Sequence, residues 1–278
     1  MNAALASILE RIEDPQHLLV GAAFREGIAR MQFAVEHHLG LAALVGDAGT
    51  GKTTLLRCFR RELASTAACV LQLRLKGLSS VELQTTFAEQ LGVRTPYTWL
   101  RIVERLTELG YDQTPLIVLV DDANHASPES LDFLNRVWDA DPTGQLRITM
   151  ILATDELSMA GWPESWLQRI DLRVELERWS LDDVHQFLGS IIGSEQQSYG
   201  AKHNFEPAAI EQLHRLSAGL PRPLRRYAHL ALLATAEQGR TVVDEATVTG
   251  ASHELCRAGM PHHHTGPAIE FVDDLIVD

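Results

Sequence analysis

Four short runs of the chain are apolar at nearly every position, and the stretches between them carry apolar residues at three- and four-residue steps. The runs are LAALV (Leu41 to Val45), ACVLQL (Ala68 to Leu73), LIVLV (Leu116 to Val120) and ITMILAT (Ile148 to Thr154); a shorter LRVEL (Leu172 to Leu176) can add a fifth strand. Strands covered on both faces show no polar side, so the alternation predicts a parallel sheet between layers of helices. Two intervening segments, SSVELQTTFAEQLG and SPESLDFLNRVW, open on a serine able to cap a helix. Beyond about Arg178 the strand pattern stops, and helical periodicity runs over Leu181 to Ile192, Pro207 to Ser217, Pro221 to Ala236 and Asp244 to Arg257. The expected organisation is an α/β three-layer αβα domain over residues 1–178, a small all-α domain over 179–258 and an acidic tail over 259–278.

Composition narrows the setting. The 278 residues are 45% hydrophobic, enough for one large domain and a smaller one, and their net charge of -13 repels bulk nucleic acid and anionic membrane unless a local basic patch intervenes. Cys58, Cys69 and Cys256 form no CxxC pair, which fits a reducing compartment and neither a zinc site nor a disulfide framework. The opening MNAALASILERIEDP lacks a basic leader, and Glu10 and Arg11 interrupt its apolar run, so it is not expected to act as a secretion signal. No apolar run approaches the roughly 20 residues needed to span a bilayer. A cytoplasmic protein without membrane insertion is expected.

The stretch LVGDAGTGKTT follows the first strand and opens a helix. Gly46, Gly51, Lys52 and Thr53 satisfy GxxxxGK[ST] in the strand–loop–helix context that the phosphate-binding loop requires. Its backbone, from Gly46 through Asp47, Ala48, Gly49 and Thr50 to Gly51, can curl its N–H groups around phosphate oxygens, and the helix beginning near Lys52, Thr53 and Thr54 directs the positive end of its dipole there. Lys52 would reach the β- and γ-phosphates of ATP, and the Thr53 hydroxyl would hold Mg²⁺. The strand LIVLV ends in a second cluster, Asp121 and Asp122. In P-loop enzymes the first acid sits near the metal and a following acid can polarise the attacking water. The alternative is a pair of acids that only solvates a strand end.

Five motifs, GDAGTGKTT, LIVLVDDANH, ILATDEL, LQRIDLRVEL and GLPRPLRR, follow in one order. In that order and spacing, over about Phe24 to Ala236, the chain resembles the AAA+ ATPases, and within them the ExeA-like branch, also called general secretion pathway protein A. TnsC- and MuB-like transposition ATPases are near relatives of that branch. The resemblance implies a P-loop domain followed by a helical lid, with Mg-ATP at their junction. It also assigns roles. Thr154 falls at the sensor-1 position, with a strand-end capping threonine as the alternative. Arg169 matches an arginine finger that serves a neighbouring subunit's nucleotide; an ion pair with Glu164 or Asp171 is the alternative. Arg222 matches sensor 2, whereas Arg225 and Arg226 are read as solvated or partner-facing. Adenine contacts are expected around Leu18 to Phe24.

The chain departs from the family pattern in three places. Most relatives carry Glu where this chain has Asp122, and Asn124 and Asp155 replace the Gln and Pro of two further motifs. A carboxylate shorter by one methylene reaches about 1 Å less far, which predicts slow hydrolysis. His262 to His264 can be read as a metal site, but adjacent histidines in an extended segment point different ways and lack a supporting shell; His37 and His38 read as surface positions. AIEFVDDLIVD in the tail can add a strand to a partner or pack on its own chain. The functional expectation is an oligomeric switch or remodeller, a ring or filament closed by trans arginine fingers, acting on an unidentified protein partner. A DNA-associated switch and a nucleotide-binding module with negligible turnover are the alternatives.

Overall fold

A computed structural model of the chain describes residues 3–14, 17–18, 21–93, 99–140, 144–192 and 204–257. Its centre is a sheet of five strands, β1 (Leu41–Val45), β2 (Cys69–Arg74), β3 (Leu116–Asp121), β4 (Ile148–Thr154) and β5 (Ile170–Glu175), all parallel and ordered β2-β3-β4-β1-β5. The α/β reading of the apolar runs is thus met, as a parallel sheet flanked by helices. Period two divides each strand between two cores: Ala42, Leu44, Ile117, Leu119, Ile151 and Ala153 enter one apolar cluster, while Leu41, Ala43, Val118, Val120, Met150 and Leu152 enter the other. Because both sets are covered, β1 and β3 are buried at every position. The fifth strand starts two residues earlier than LRVEL suggests, since Ile170, Leu172 and Val174 form the inward row of an edge strand and Asp171, Arg173 and Glu175 its exposed row.

The helices are α1 (Ala3–Glu13), α2 (Ala22–Glu36), α3 (Lys52–Leu63), α4 (Ser80–Gln90), α5 (Trp99–Tyr111), α6 (Pro128–Trp138), α7 (Glu156–Ala160), α8 (Glu164–Leu167), α9 (Leu181–Ile192), α10 (Pro207–Ser217), α11 (Pro221–Glu237) and α12 (Glu245–Arg257). Both predicted serine caps form: Ser79 makes a capping box with Glu82 at the start of α4, and Ser127 accepts from the Ser130 amide at the start of α6. Past Arg178 the described elements are helices except for two two-residue strands, β6 (Asn204–Phe205) and β7 (Val242–Val243), which pair in parallel. That pairing departs from an all-helical reading, and two residues are too few to leave a periodic signal. Helix α1 packs against α9 and α11. One apolar cluster runs from the α3 side of the sheet through Trp179 into α9 to α12. Cys58 and Cys69 are free thiols. The tail, with His262 to His264, lies outside the described residues.

One carboxylate ties the start of α2 to the start of α9. Asp183, 8% exposed, accepts from the Ala22 amide at the start of α2 (3.0 Å) and from the Ser180 amide (3.0 Å) and hydroxyl (2.8 Å) ahead of α9. Burial pushes its carboxyl up, but these hydrogen bonds together hold it below the ordinary aspartate value. A carboxyl depressed in the folded state stabilises the fold above its unfolded pKa, and the contribution disappears as pH falls through the lower folded value. Asp183→Ala should therefore lower stability by about 2 kcal/mol, the order of a lost set of hydrogen bonds to a charged group, and the difference from the parent should shrink in acid; denaturant unfolding at neutral and acidic pH measures both. Asp244, which caps α12 through the Thr247 amide and hydroxyl and is lowered to about 2, adds a second acid-sensitive contact.

Candidate nucleotide-binding site

The C-terminal ends of β1 and β3, the start of α3 and the start of α11 surround a cleft of about 350 Å³. It takes shape where β1 gives way to α3. Gly49 and Gly51 adopt φ of 95° and 104°, left-handed values that favour glycine. Gly51 is fixed a second way, because a Cβ there would lie 2.4 Å from the Phe24 ring. The turn places Lys52 at the first position of α3, a 12-residue helix whose first-turn amides have no acceptor within the helix. Lys52 Nζ donates to the carbonyls of Gly46 (2.6 Å) and Asp47 (3.0 Å). Burial lowers its pKa, against the opposing charges of Asp155, Asp121, Asp47 and Asp122.

The acid strand meets this loop directly. Thr53 Oγ1 donates to Asp121 Oδ1 at 3.1 Å, so the hydroxyl and carboxylate expected at a metal are already adjacent. Asp121 is 3% exposed; burial raises its pKa, the bond from Thr53 opposes this, and the charge of Asp122 adds to it. Two hard oxygen donors, one on a carboxyl that burial has made reluctant to ionise alone, suit Mg²⁺. Asp122 follows in the left-handed region, φ 54° and ψ 39°, and its carboxylate accepts from Arg74 Nε at 2.8 Å. For a non-glycine residue that backbone costs on the order of 1 kcal/mol, and the turn it makes aims Asp122 across the sheet to β2.

Arg74 and Lys76, which the sequence reading did not single out, both line the cleft. β2 pairs with β3 in register as far as Arg74 opposite Asp121, and the Leu75 amide donates to the Asp121 carbonyl, so the chain after β2 stays beside the acid strand. A signal was present: Gln72, Arg74 and Lys76 alternate with the buried Leu71, Leu73 and Leu75, and two of these polar positions are cations at a strand end. Five cations, Lys52, Arg74, Lys76, Arg222 and Arg225, thus face three carboxylates, Asp121, Asp122 and Asp155, in a chain of net charge -13. Because Glu13 of α1 takes one of these cations, Arg225, the lining keeps a local excess of about one positive charge, which favours an anionic ligand.

The remaining expected residues divide. Ala48, Gly49, Thr54 and Arg222 line the cleft, as does Leu18 from the segment expected near adenine; Leu19 and Val20 lie outside the described residues. Arg222 meets the loop through its amide, 3.4 Å from the Gly49 carbonyl. Gly46, Asp47 and Thr50 do not line this cleft. Thr50 Oγ1 donates to the Asp47 carbonyl, and the Asp47 carboxylate accepts from Arg178 Nε (3.0 Å) and Nη2 (2.8 Å). Thr154 is fully buried with its hydroxyl on the Asp155 carbonyl, and Asp155, not Thr154, caps α7.

Two arginines have partners that the sequence reading did not name. Arg225 is not solvated: it is 19% exposed, donating to the Ile12 carbonyl (2.6 Å) and Glu13 (3.1 Å) of α1, because α1 packs over α11. Arg169 pairs with neither Glu164 nor Asp171. Glu164 takes the Gln168 amide, Asp171 takes the amides of Gly40 and Leu41, and Arg169 Nη1 donates to Asn135 Oδ1 (2.9 Å) and Asp139 Oδ1 (3.3 Å). Arg169 precedes β5, so it lies at the strand edge opposite the cleft, about 20 Å away at roughly 3.3 Å per strand residue. It cannot serve the cleft of its own chain.

Comparison with known proteins agrees with this arrangement. Residues 35–159 match the family model described as AAA domain. The chain is 26% identical over 262 residues to General secretion pathway protein A of Aeromonas hydrophila, covering 87% of this chain and 45% of that protein; it spans less than half the length of that relative. Among solved structures it is similar to Cdc6p from Pyrobaculum aerophilum, with a TM-score of 0.65 and 16% identity over 84% of this chain and 69% of that one. It is similar also to RuvB from Thermotoga maritima, a Holliday junction branch migration motor, with a TM-score of 0.56 and 16% identity over 84% of this chain and 68% of that one. At such identities these two structures speak for the fold alone. The AAA-domain match over residues 35–159 and the five-stranded parallel sheet place that part of the chain on a P-loop αβα fold, and the chain as a whole is similar to General secretion pathway protein A.

Proposed function

We propose that the chain binds Mg-ATP in this cleft and hydrolyses it slowly, as an oligomeric switch or remodeller of a protein partner. The observation that carries the reading is the Thr53–Asp121 hydrogen bond beside Lys52 at the start of α3, the donor set of a Mg-ATP site brought together from two separate motifs. Lys52 and the first-turn amides of α3 bind and orient the phosphates. When bound, Mg²⁺ supplies charge neutralisation between the phosphates. Asp122 accepts the proton of the attacking water, and Arg222, carried on the proposed lid that begins near Arg178, reports on the nucleotide. ATP and ADP then favour different lid positions, which makes the chain a switch.

Two features support slow turnover: Asp122 has a short side chain, and its carboxylate is engaged by Arg74. Asp122→Asn should lower kcat by about a hundredfold with ATP affinity retained, and Asp122→Glu should raise kcat by restoring reach. Steady-state hydrolysis and ATP titration of the three proteins measure this. A slower Glu variant would show that the pocket is adapted to aspartate and would remove the side-chain-length argument. A DNA-associated switch is the second reading, favoured by Arg57, Arg60 and Arg61, exposed on α3. Hydrolysis stimulated by duplex DNA in the same assay would select it.

A further inference from the structure

The C-terminal end of α6 forms a closed polar cage around Arg169. Asn135 Nδ2 donates to Asp139 Oδ2 (3.1 Å), which leaves Asn135 Oδ1 to accept from Arg169 Nη1 (2.9 Å); Asp139 Oδ1 takes the same Nη1 at 3.3 Å. The amide of Asn135 can satisfy both partners in one orientation only. Beneath them the Trp138 ring lies 5.7 Å from the guanidinium. That ring is itself seated, since a Cβ on Gly40 would fall 2.4 Å from it, a close approach that glycine permits. The last turn of α6 adds the negative end of its dipole. Each contact engages Nη1 or the flat face of the guanidinium, and the side chain stays 37% exposed.

We infer that Asn135, Trp138 and Asp139 are positioning residues that hold the Arg169 guanidinium extended for use by a second copy of this chain. The inference rests on the proposed reading of Arg169 as a group acting in trans. An arginine left free carries about 2 kcal/mol of rotamer entropy. The cage removes that freedom before subunits meet, and it does so at the strand edge remote from the chain's own cleft. An ion pair kept only for stability would not need a fixed amide and a seated ring around an exposed arginine. The Asp139 pair is itself half exposed and contributes little to stability on its own.

Mixed assemblies test this on the full chain. Lys52→Ala subunits lack a working cleft but keep Arg169, and Arg169→Ala subunits are the converse, so mixing the two should restore hydrolysis in the Arg169→Ala clefts. When the Lys52→Ala partner also carries Asn135→Ala and Asp139→Ala, the restored kcat should fall by about tenfold, with KM for ATP, particle mass and thermal midpoint unchanged. Asp139→Asn alone, which keeps a hydrogen-bond acceptor, should retain most of the restored rate. Restored activity that is equal or higher with the doubly substituted partner would overturn the positioning role while leaving the trans reading intact. No restoration by the simple Lys52→Ala partner would overturn the trans reading and the positioning role with it.

Discussion

Lys52→Ala should remove the proposed Mg-ATP turnover, by on the order of a thousandfold or more, and weaken ATP binding without unfolding the chain. Lys52 is the cation at the first residue of α3, where its ammonium is partly desolvated and faces Asp121, Asp122 and Asp155 of the cleft wall. An interaction with the transferring phosphoryl group at a partly desolvated ammonium is worth several kcal/mol, more than at an open surface. Its contribution to the fold is small. It donates two hydrogen bonds to loop carbonyls, at a net value of about 1 kcal/mol each, against the cost of keeping an ammonium partly buried. ATP titration, steady-state hydrolysis and a thermal melt of one preparation separate these effects. A variant that binds and hydrolyses ATP like the parent would show that the cleft is not a phosphate cradle.

Arg169→Ala should be as severe for hydrolysis and silent for binding. Arg169 stands at the sheet edge opposite the cleft of its own chain, so it cannot stabilise charge there. A guanidinium delivered to a neighbour's transferring phosphoryl group is worth roughly 10³ to 10⁵ in rate. The variant should bind one Mg-ATP per chain with the parent's affinity and turn over at least a thousandfold more slowly, because the loss falls on the transition state alone. Weakened ATP affinity, or unchanged turnover, would return Arg169 to a structural ion pair with Asp139.

These two predictions concern residues that sequence reasoning found by different means, and the difference shows what was legible. β1 and β4 were read to the residue because a strand buried on both faces writes a continuous apolar run with sharp ends. The start of β5 was missed by two residues because an edge strand exposes every second position, where Asp171 and Arg173 dilute the signal. The Thr53–Asp121 meeting followed from two local motifs on adjacent elements. The partners of Arg74, Arg169 and Arg225 did not, since each is set by packing across more than 30 positions: β2 beside β3, α6 behind β5, α1 over α11. Asp183 was equally hidden, since a carboxylate that accepts from the Ala22 amide 161 positions away reads locally as an acid in the first turn of α9.

Turnover per subunit and particle mass, measured on the same samples in Mg-ATP across a wide dilution series, test the central claim that nucleotide held in one chain's cleft is hydrolysed with a group from another. The account predicts that both fall together, so that particles of monomer mass still bind ATP but have lost hydrolysis. Full turnover by particles of monomer mass would contradict it.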